Sequence, residues 1–345
     1  MWETIRLSVV FIVSVFLWIG LGGGVLERLR LKTEDRILDL VLAYLFGVFI
    51  FIFGLVGLGM TGRLDWKSLV IYILIIALFF GRRLFKGVIC GRPKYASGSS
   101  KIARLLTTIL VVLAVSNYFV CFAPPYIWDE VAYHLPESMS IVINHKIQFP
   151  VLGNLFYGNL PVSMELLSAT GIILTGTPTM GHVWHYSILV CLVAVIYVFV
   201  RKRSTKELGL LAGIVIFLIS DLVNNATTGY VDGAAISTEI IGLLLVTDWY
   251  EFGNVKKLYL AAGVWGMSLG IKYSGLYTIP VYMLIVLLGS TRWKYGWRKW
   301  VIIVMTMTVM GLAMGGFWYI KNLIMWQNPI YPYFFGLNTK KNWPF

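Results

Sequence analysis

Charge is what this sequence has least of. Only 13% of its 345 residues are charged, and 16 acidic side chains stand against 29 basic ones. A soluble domain carries about 25% charged residues, so this chain lacks the side chains to keep such a surface wet. Histidine and cysteine are scarce as well, at four and three residues. Cys90, Cys121 and Cys191 are widely spaced and form no Cys-x-x-Cys pair, which excludes a disulfide framework and a zinc ribbon. No soluble segment has a basic stripe with interleaved aromatics, so the net charge of +13 does not point to nucleic acid.

Apolar sequence fills the space that charge leaves. Hydrophobic residues make up 58% of the chain and the mean hydropathy is +0.79. Crossing ~30 Å of hydrocarbon takes roughly 20 apolar residues, or somewhat fewer where polar ends reach the interface. About ten runs qualify, over 7–26, 37–60, 66–81, 105–123, 182–200, 207–223, 233–249, 258–271, 274–289 and 299–320. The fold class is therefore all-α, a polytopic membrane helix bundle of about ten transmembrane helices in contact with membrane lipids. Only Lys272-Tyr273 separates the eighth and ninth runs, which read either as two spans or as one broken helix. The first run is retained, because Gly22-Gly23-Gly24 leads to Glu27 and Arg28 and not to a small-x-small cleavage site.

Basic residues orient the bundle, since short cytoplasmic loops collect lysine and arginine. Loops 27–36, 82–104, 201–206, 251–257 and 290–299 hold most of the 29 basic side chains, and they alternate with poorly charged loops. The reading that follows is a cell-membrane protein with an extracytoplasmic amino terminus. A Gly-, Pro- and Ser-rich linker at 88–101 divides residues 1–104, with three leading spans and a basic cytoplasmic segment, from a seven-span module over 105–345.

That module opens with the one long outer loop, 124–181. Val131–Asn144, interrupted by Pro136, and Glu165–Leu174 alternate polar and apolar positions at helical spacing. Both are expected as amphipathic helices on the outer leaflet. The same topology brings the remaining polar residues to the outer face. Asp129, Glu130, His134 and Glu165 come from the long loop, and Asp221, Asn224, Asn225, Tyr230 and Asp232 from between spans six and seven. Lys272 and Tyr273 divide spans eight and nine, and Lys321, Asn322 and Asn328 follow span ten. One outward polar site is expected. Neighbouring carboxylates there can act as general base, metal ligand or electrostatic stabiliser, and a lysine can neutralise phosphate. Asp129, Asp232 and His134 offer ligands for a divalent cation, Mg²⁺ or Mn²⁺, although no ligand spacing is diagnostic. His182 and His185, one turn apart, read more readily as interfacial hydrogen-bonding residues than as a zinc pair. Glu239, about two turns inside span seven, is expected to line a polar cavity or to pair with another helix.

The run Trp128-Asp129-Glu130-Val131-Ala132-Tyr133-His134-Leu135-Pro136, in a long outer loop, resembles the first external loop of GT-C type integral-membrane glycosyltransferases, the superfamily of the protein mannosyltransferases and aminoarabinose transferases. Tyr230-Val231-Asp232-Gly233 looks like their second acidic motif, and Gly270-Ile271-Lys272-Tyr273-Ser274-Gly275 like their glycine-lysine segment. Lys321-Asn322 with Asn328-Pro329-Ile330-Tyr331-Pro332 is similar to their Asn-Pro-x-Tyr-Pro run. The likeness covers residues 105–336 and implies a seven-span core with the catalytic aspartate in the first external loop. It departs from the family in its three leading spans and in how soon the chain ends after the last motif.

The resemblance implies a sugar transferase whose donor is a polyprenyl-phosphate sugar, whose acceptor is a hydroxyl on a glycan, lipid or protein, and whose reaction inverts the anomeric carbon. Asp129 would be the general base with Glu130 in support. Lys272, Asp232, Lys321 and Tyr273 would hold the donor and its phosphate, and His134, Tyr133, Glu165 and Asn322 would face or support the acceptor. Two other classes remain open from the residues: a transporter or lipid flippase, favoured by the break at Lys272, and a non-catalytic subunit of a membrane glycosylation assembly.

Overall fold

Residues 2–84, 100–147 and 157–333 are described in a computed structural model of the chain, and all ten apolar runs are helical in it. No strand occurs among the described residues. The helices are α1 (Trp2–Arg28), α2 (Arg36–Met60), α3 (Trp66–Leu84), α4 (Lys101–Val120), α5 (Leu135–Asn144), α6 (Ser163–Thr175), α7 (Thr179–Arg203), α8 (Lys206–Phe217), α9 (Ser220–Ala226), α10 (Asp232–Phe252), α11 (Val255–Ile271), α12 (Ile279–Arg292), α13 (Trp297–Gly315) and α14 (Phe317–Trp326). The linker at 88–101 lies almost wholly outside the described residues.

Among the described residues six segments are long and apolar enough to cross a membrane: α1, α2, α4, α7, Tyr273–Arg292 and α13. A seventh is α8 with α9, if that pair is one span, and it bends by 69° at Leu218-Ile219. The count of ten is thus met in helical runs but not in full spans. Helix α11 has only 17 residues, and α10 carries Glu239 and Asp248 in its interior. The eighth and ninth runs are separate. Lys272 is extended at φ −154° and ψ 150°, a 3-10 turn follows over Tyr273–Thr278, and Trp265 Nε1 donates to Gly275 O at 3.0 Å. Those two residues would lie about 15 Å apart along a straight helix, so the chain reverses direction at Lys272.

Helices α2 and α7 form the buried centre, and α4 and α13 lie at the periphery. Close contact between α1 and α2 depends on glycine. A Cβ at Gly47 would stand 1.9 Å from Trp18 O, and one at Gly22 would stand 2.0 Å from Ala43 O. Lipid tails are as apolar as leucine, so backbone approach of this kind, through van der Waals contact, holds helices together. Trp18 then packs edge-on against Trp184 of α7 with ring centroids 5.4 Å apart.

Two expectations for the outer loop change. Helix α6 does not lie on a leaflet: Met164, Glu165, Leu166, Leu167, Ala169 and Thr170 are all buried. Its polar groups serve the interior, with Ser163 Oγ accepting from Trp318 Nε1 and Thr170 and Thr175 bonding carbonyls of their own helix. No wet face is left. Helix α5 turns Ser138 and Ile141 to the interior and leaves Met139 and Ile143 exposed. Pro136 does not end the helix: Glu130–His134 is a π turn that runs directly into α5, whose second residue is Pro136, and a π turn already departs from the i−4 bonding that a proline cannot join.

At the opposite end of the bundle the basic loops meet acids. Arg201 pairs with Asp35, Arg203 with Asp248 and Glu251, and Lys202 and Lys257 with Asp248. The two polar ends are therefore built from different residues, as the alternation of loops requires.

Gly47→Leu is expected to lower the thermal unfolding midpoint in detergent, because overpacking against Trp18 costs on the order of 1–3 kcal/mol. Gly57→Leu is the control, since nothing lies within 4 Å of a Cβ at that position. Equal midpoints for the two variants would remove the close-packing argument.

Candidate functional site

A cavity of about 500 Å³ opens between the π turn, α5, α6, the start of α10 and the 3-10 turn after α11. Its walls are mainly apolar, with Leu160, Pro161, Val162, Ile271, Leu276 and Ile330, and they carry Tyr133, His134, Glu137, Glu165, Lys272 and Tyr273 as polar groups. That size and mixture suit a small organic ligand. Five of the residues expected at the site, Tyr133, His134, Glu165, Lys272 and Tyr273, line this one space.

Local structure places each of them. Asp232 is the first residue of α10, where a carboxylate is favoured by the helix N-terminus, and it accepts from Lys272 Nζ at 2.7 Å. On the other side, Tyr133 Oη donates to Asp129 Oδ2 at 2.9 Å, four residues back along the turn. Burial, then this bond and the charge behind it, push the Tyr133 phenol far up, so it stays a donor. Asp129 N also donates to Tyr230 Oη at 3.3 Å. Asp129 and Asp232 are thus joined to the cavity through Tyr133 and Lys272, without lining it themselves.

Behind the cavity lie two carboxylate–imidazole pairs. His134 Nδ1 and Glu165 Oε1 are 2.6 Å apart, and His182 Nε2 and Glu130 Oε1 are 2.5 Å apart, with all four side chains buried. His182 Nδ1 is 3.1 Å from Cys121 O, which can only accept, so Nδ1 carries a proton. Burial alone raises the Glu130 carboxyl, but the His182 bond and charge with the Gly229 backbone outweigh it and hold Glu130 below the usual carboxylate range. Gly229 is required there, since a Cβ would stand 2.6 Å from Glu130 Oε1. His185 takes different partners, Ser168 Oγ at 3.3 Å and Tyr230 O at 3.2 Å.

Several expected residues land elsewhere. Glu130 is 1% exposed and faces His182 instead of the large cavity, because the turn rotates adjacent residues to different sides. Lys321 and Asn322 both donate to Asn159 O, at 3.3 and 2.9 Å, and so tie α14 to the turn over Tyr157–Asn159. Asn322 also donates to Tyr273 Oη at 2.7 Å. The trio Asp129, Asp232 and His134 does not gather around a metal, since each is engaged by a different partner. Among the described residues no group of three or more His, Cys, Asp or Glu side chains is arranged to hold one. His182 and His185 form no zinc pair for the same reason. Glu239 accepts from Ser274 Oγ at 3.1 Å, which fits the expected pairing with another helix.

Glu137 is the residue that sequence reading missed. It lies three and four positions after His134 and Tyr133, one helical turn on, and that spacing was the available signal. Burial, with the charge of Glu165, holds its carboxyl up to about 7, while Lys321 opposes the shift. Burial in turn brings Lys321 down to about 7, and Glu137 opposes that.

His182→Ala is expected to destabilise the protein by roughly 3 kcal/mol or more, because it leaves Glu130 buried without its partner. The double variant Glu130→Gln with His182→Gln should recover part of that loss. Thermal unfolding in detergent reads both, and an unchanged midpoint for His182→Ala would show that the pair does not hold the site together.

Compared with known proteins, the chain finds no counterpart: no protein-family model, no curated protein and no solved structure matches it.

Proposed function

We propose that the chain is a membrane glycosyltransferase that moves a sugar from a polyprenyl-phosphate donor to an acceptor hydroxyl at the extracytoplasmic face of the cell membrane. The observation that carries this reading is the cavity itself, where apolar walls, Lys272 and a tyrosine bonded to Asp129 share one space. A lipid phosphate needs a cation beside it, and Lys272 has donors beyond the one given to Asp232. Asp232 orients that ammonium. Asp129 takes the proton of the acceptor hydroxyl, and Tyr133, bonded to it, connects the base to the cavity. Glu130 supports the turn from behind through His182. Inversion follows when the acceptor attacks the anomeric carbon opposite the departing phosphate, whose charge Lys272 stabilises.

A second reading, transport or lipid flipping, draws on the helix breaks at Lys272 and between α8 and α9, because transporters bind substrate at broken helices.

Transfer of labelled sugar from a panel of polyprenyl-phosphate sugars to membrane extracts separates the two. Wild-type protein is expected to give labelled product, with a loss of about 100-fold or more in Asp129→Asn and about tenfold or more in Lys272→Ala. Full turnover in Asp129→Asn would remove the base assignment, and uptake of label without covalent product would favour transport. Orientation is read separately with an impermeant maleimide on intact cells. Trp128→Cys, at a position 80% exposed, should be labelled and Lys256→Cys spared, relative to the parent chain. The reverse pattern would put the cavity on the cytoplasmic side.

A further inference from the structure

Three buried polar atoms on residues lining the large cavity have no hydrogen-bond partner among the described residues: His134 Nε2, Glu137 Oε1 and Glu165 Oε2. Their side chains converge because the π turn leads straight into α5, which sets His134 and Glu137 on neighbouring turns, and because buried α6 brings Glu165 against His134. In the neutral imidazole that gives Nδ1–H to the Glu165 carboxylate, Nε2 keeps its lone pair and accepts. A buried polar atom left unpaired costs about 1–3 kcal/mol, so three on one cavity wall mark a place where donors arrive from outside the chain.

Water answers only part of this. A smaller cavity of about 20 Å³ touches His134 and Glu165 and has room for about one water. Glu137 does not line it, so a single water there leaves the Glu137 acceptor unserved.

The large cavity thus has acceptors on one wall, a cation at Lys272 on another, and apolar surface between them. A ligand complementary to all three carries several hydroxyl donors, an anionic group and an apolar part. We propose that His134, Glu137 and Glu165 form the subsite that reads the hydroxyl groups of a sugar ring whose linked phosphate meets Lys272. The identity of the ligand rests on the glycosyltransferase reading, and the subsite rests on the unpaired acceptors. Glu137 and His134 contact the sugar. Glu165 does so through Oε2 and also holds the His134 ring in its accepting tautomer.

The test uses the full chain in lipid nanodiscs and measures the affinity for undecaprenyl phosphate and for the same lipid phosphate linked to glucose, mannose or galactose. At least one linked sugar is expected to bind about tenfold more tightly than the bare lipid phosphate, the gain of roughly one well-made hydrogen bond. Glu137→Leu and His134→Phe should bring that ratio close to one, while Glu137→Gln, whose amide oxygen still accepts, should keep part of it. A wild-type ratio near one for all three sugars overturns the proposal, as does a ratio unchanged in Glu137→Leu and His134→Phe. A wild-type ratio of about ten in a protein that makes no labelled product would sink the transferase reading and leave the subsite standing.

Discussion

An ionised side chain cannot be buried alone in an apolar bundle, and that constraint organises this molecule. Glu130, Glu165 and Asp248 are 1%, 5% and 5% exposed, and each meets a cationic or imidazole partner from another helix. Desolvating one carboxylate without a partner costs several kcal/mol, enough to undo a large share of a fold's net stability. Each pair therefore works as a registration point. Glu130 with His182 fixes the segment after α4 against the start of α7, His134 with Glu165 fixes the same segment against α6, and Asp248 with Lys257 fixes α10 against α11 at the other end. The cavity opens between that segment, α6, the residue before α10 and the turn after α11.

Such pairing needs backbones to approach closely, and glycine permits it. Gly229 lets the segment before α10 lie directly on the Glu130 carboxyl, so the glycine that precedes Tyr230-Val231-Asp232 is part of the same device as the acidic turn. Tyr230 extends the link, since its hydroxyl receives the Asp129 amide and its carbonyl lies on His185. Two polar motifs a hundred residues apart in sequence become one unit through these contacts. A change in either one is transmitted to the other.

The helices were legible because hydrocarbon imposes a length and a polarity that few other environments impose, and each apolar run is helical. Tyr133, His134, Glu165, Lys272 and Tyr273, expected on one side of the bundle from the alternation of loops, line one cavity. What could not be read was where polarity is spent. Helix α6 has Ser163, Glu165, Ser168 and Thr170 among apolar neighbours, and that pattern is the same whether the polar groups face water or face protein partners. Lys321, expected beside the donor phosphate, gives a hydrogen bond to the backbone at Asn159, outside every motif, and does not line the large cavity. The π turn left no periodic trace either, since one extra residue in a single turn is invisible to a count of three and four.

Asp129 and Glu130 illustrate what that turn achieves. Adjacent carboxylates in sequence read as a pair, yet successive residues of a helical turn point in directions roughly 100° apart. Here the first carboxylate stays half-buried beside a phenol at the edge of the cavity, and the second is buried against His182. A short bond to an imidazole and a backbone in contact leave Glu130 committed to the fold. Asp129, held by one phenol, keeps acceptor capacity for a ligand. Two acids placed side by side thus take different duties from their surroundings, and the division is drawn by the rotation of one turn of backbone.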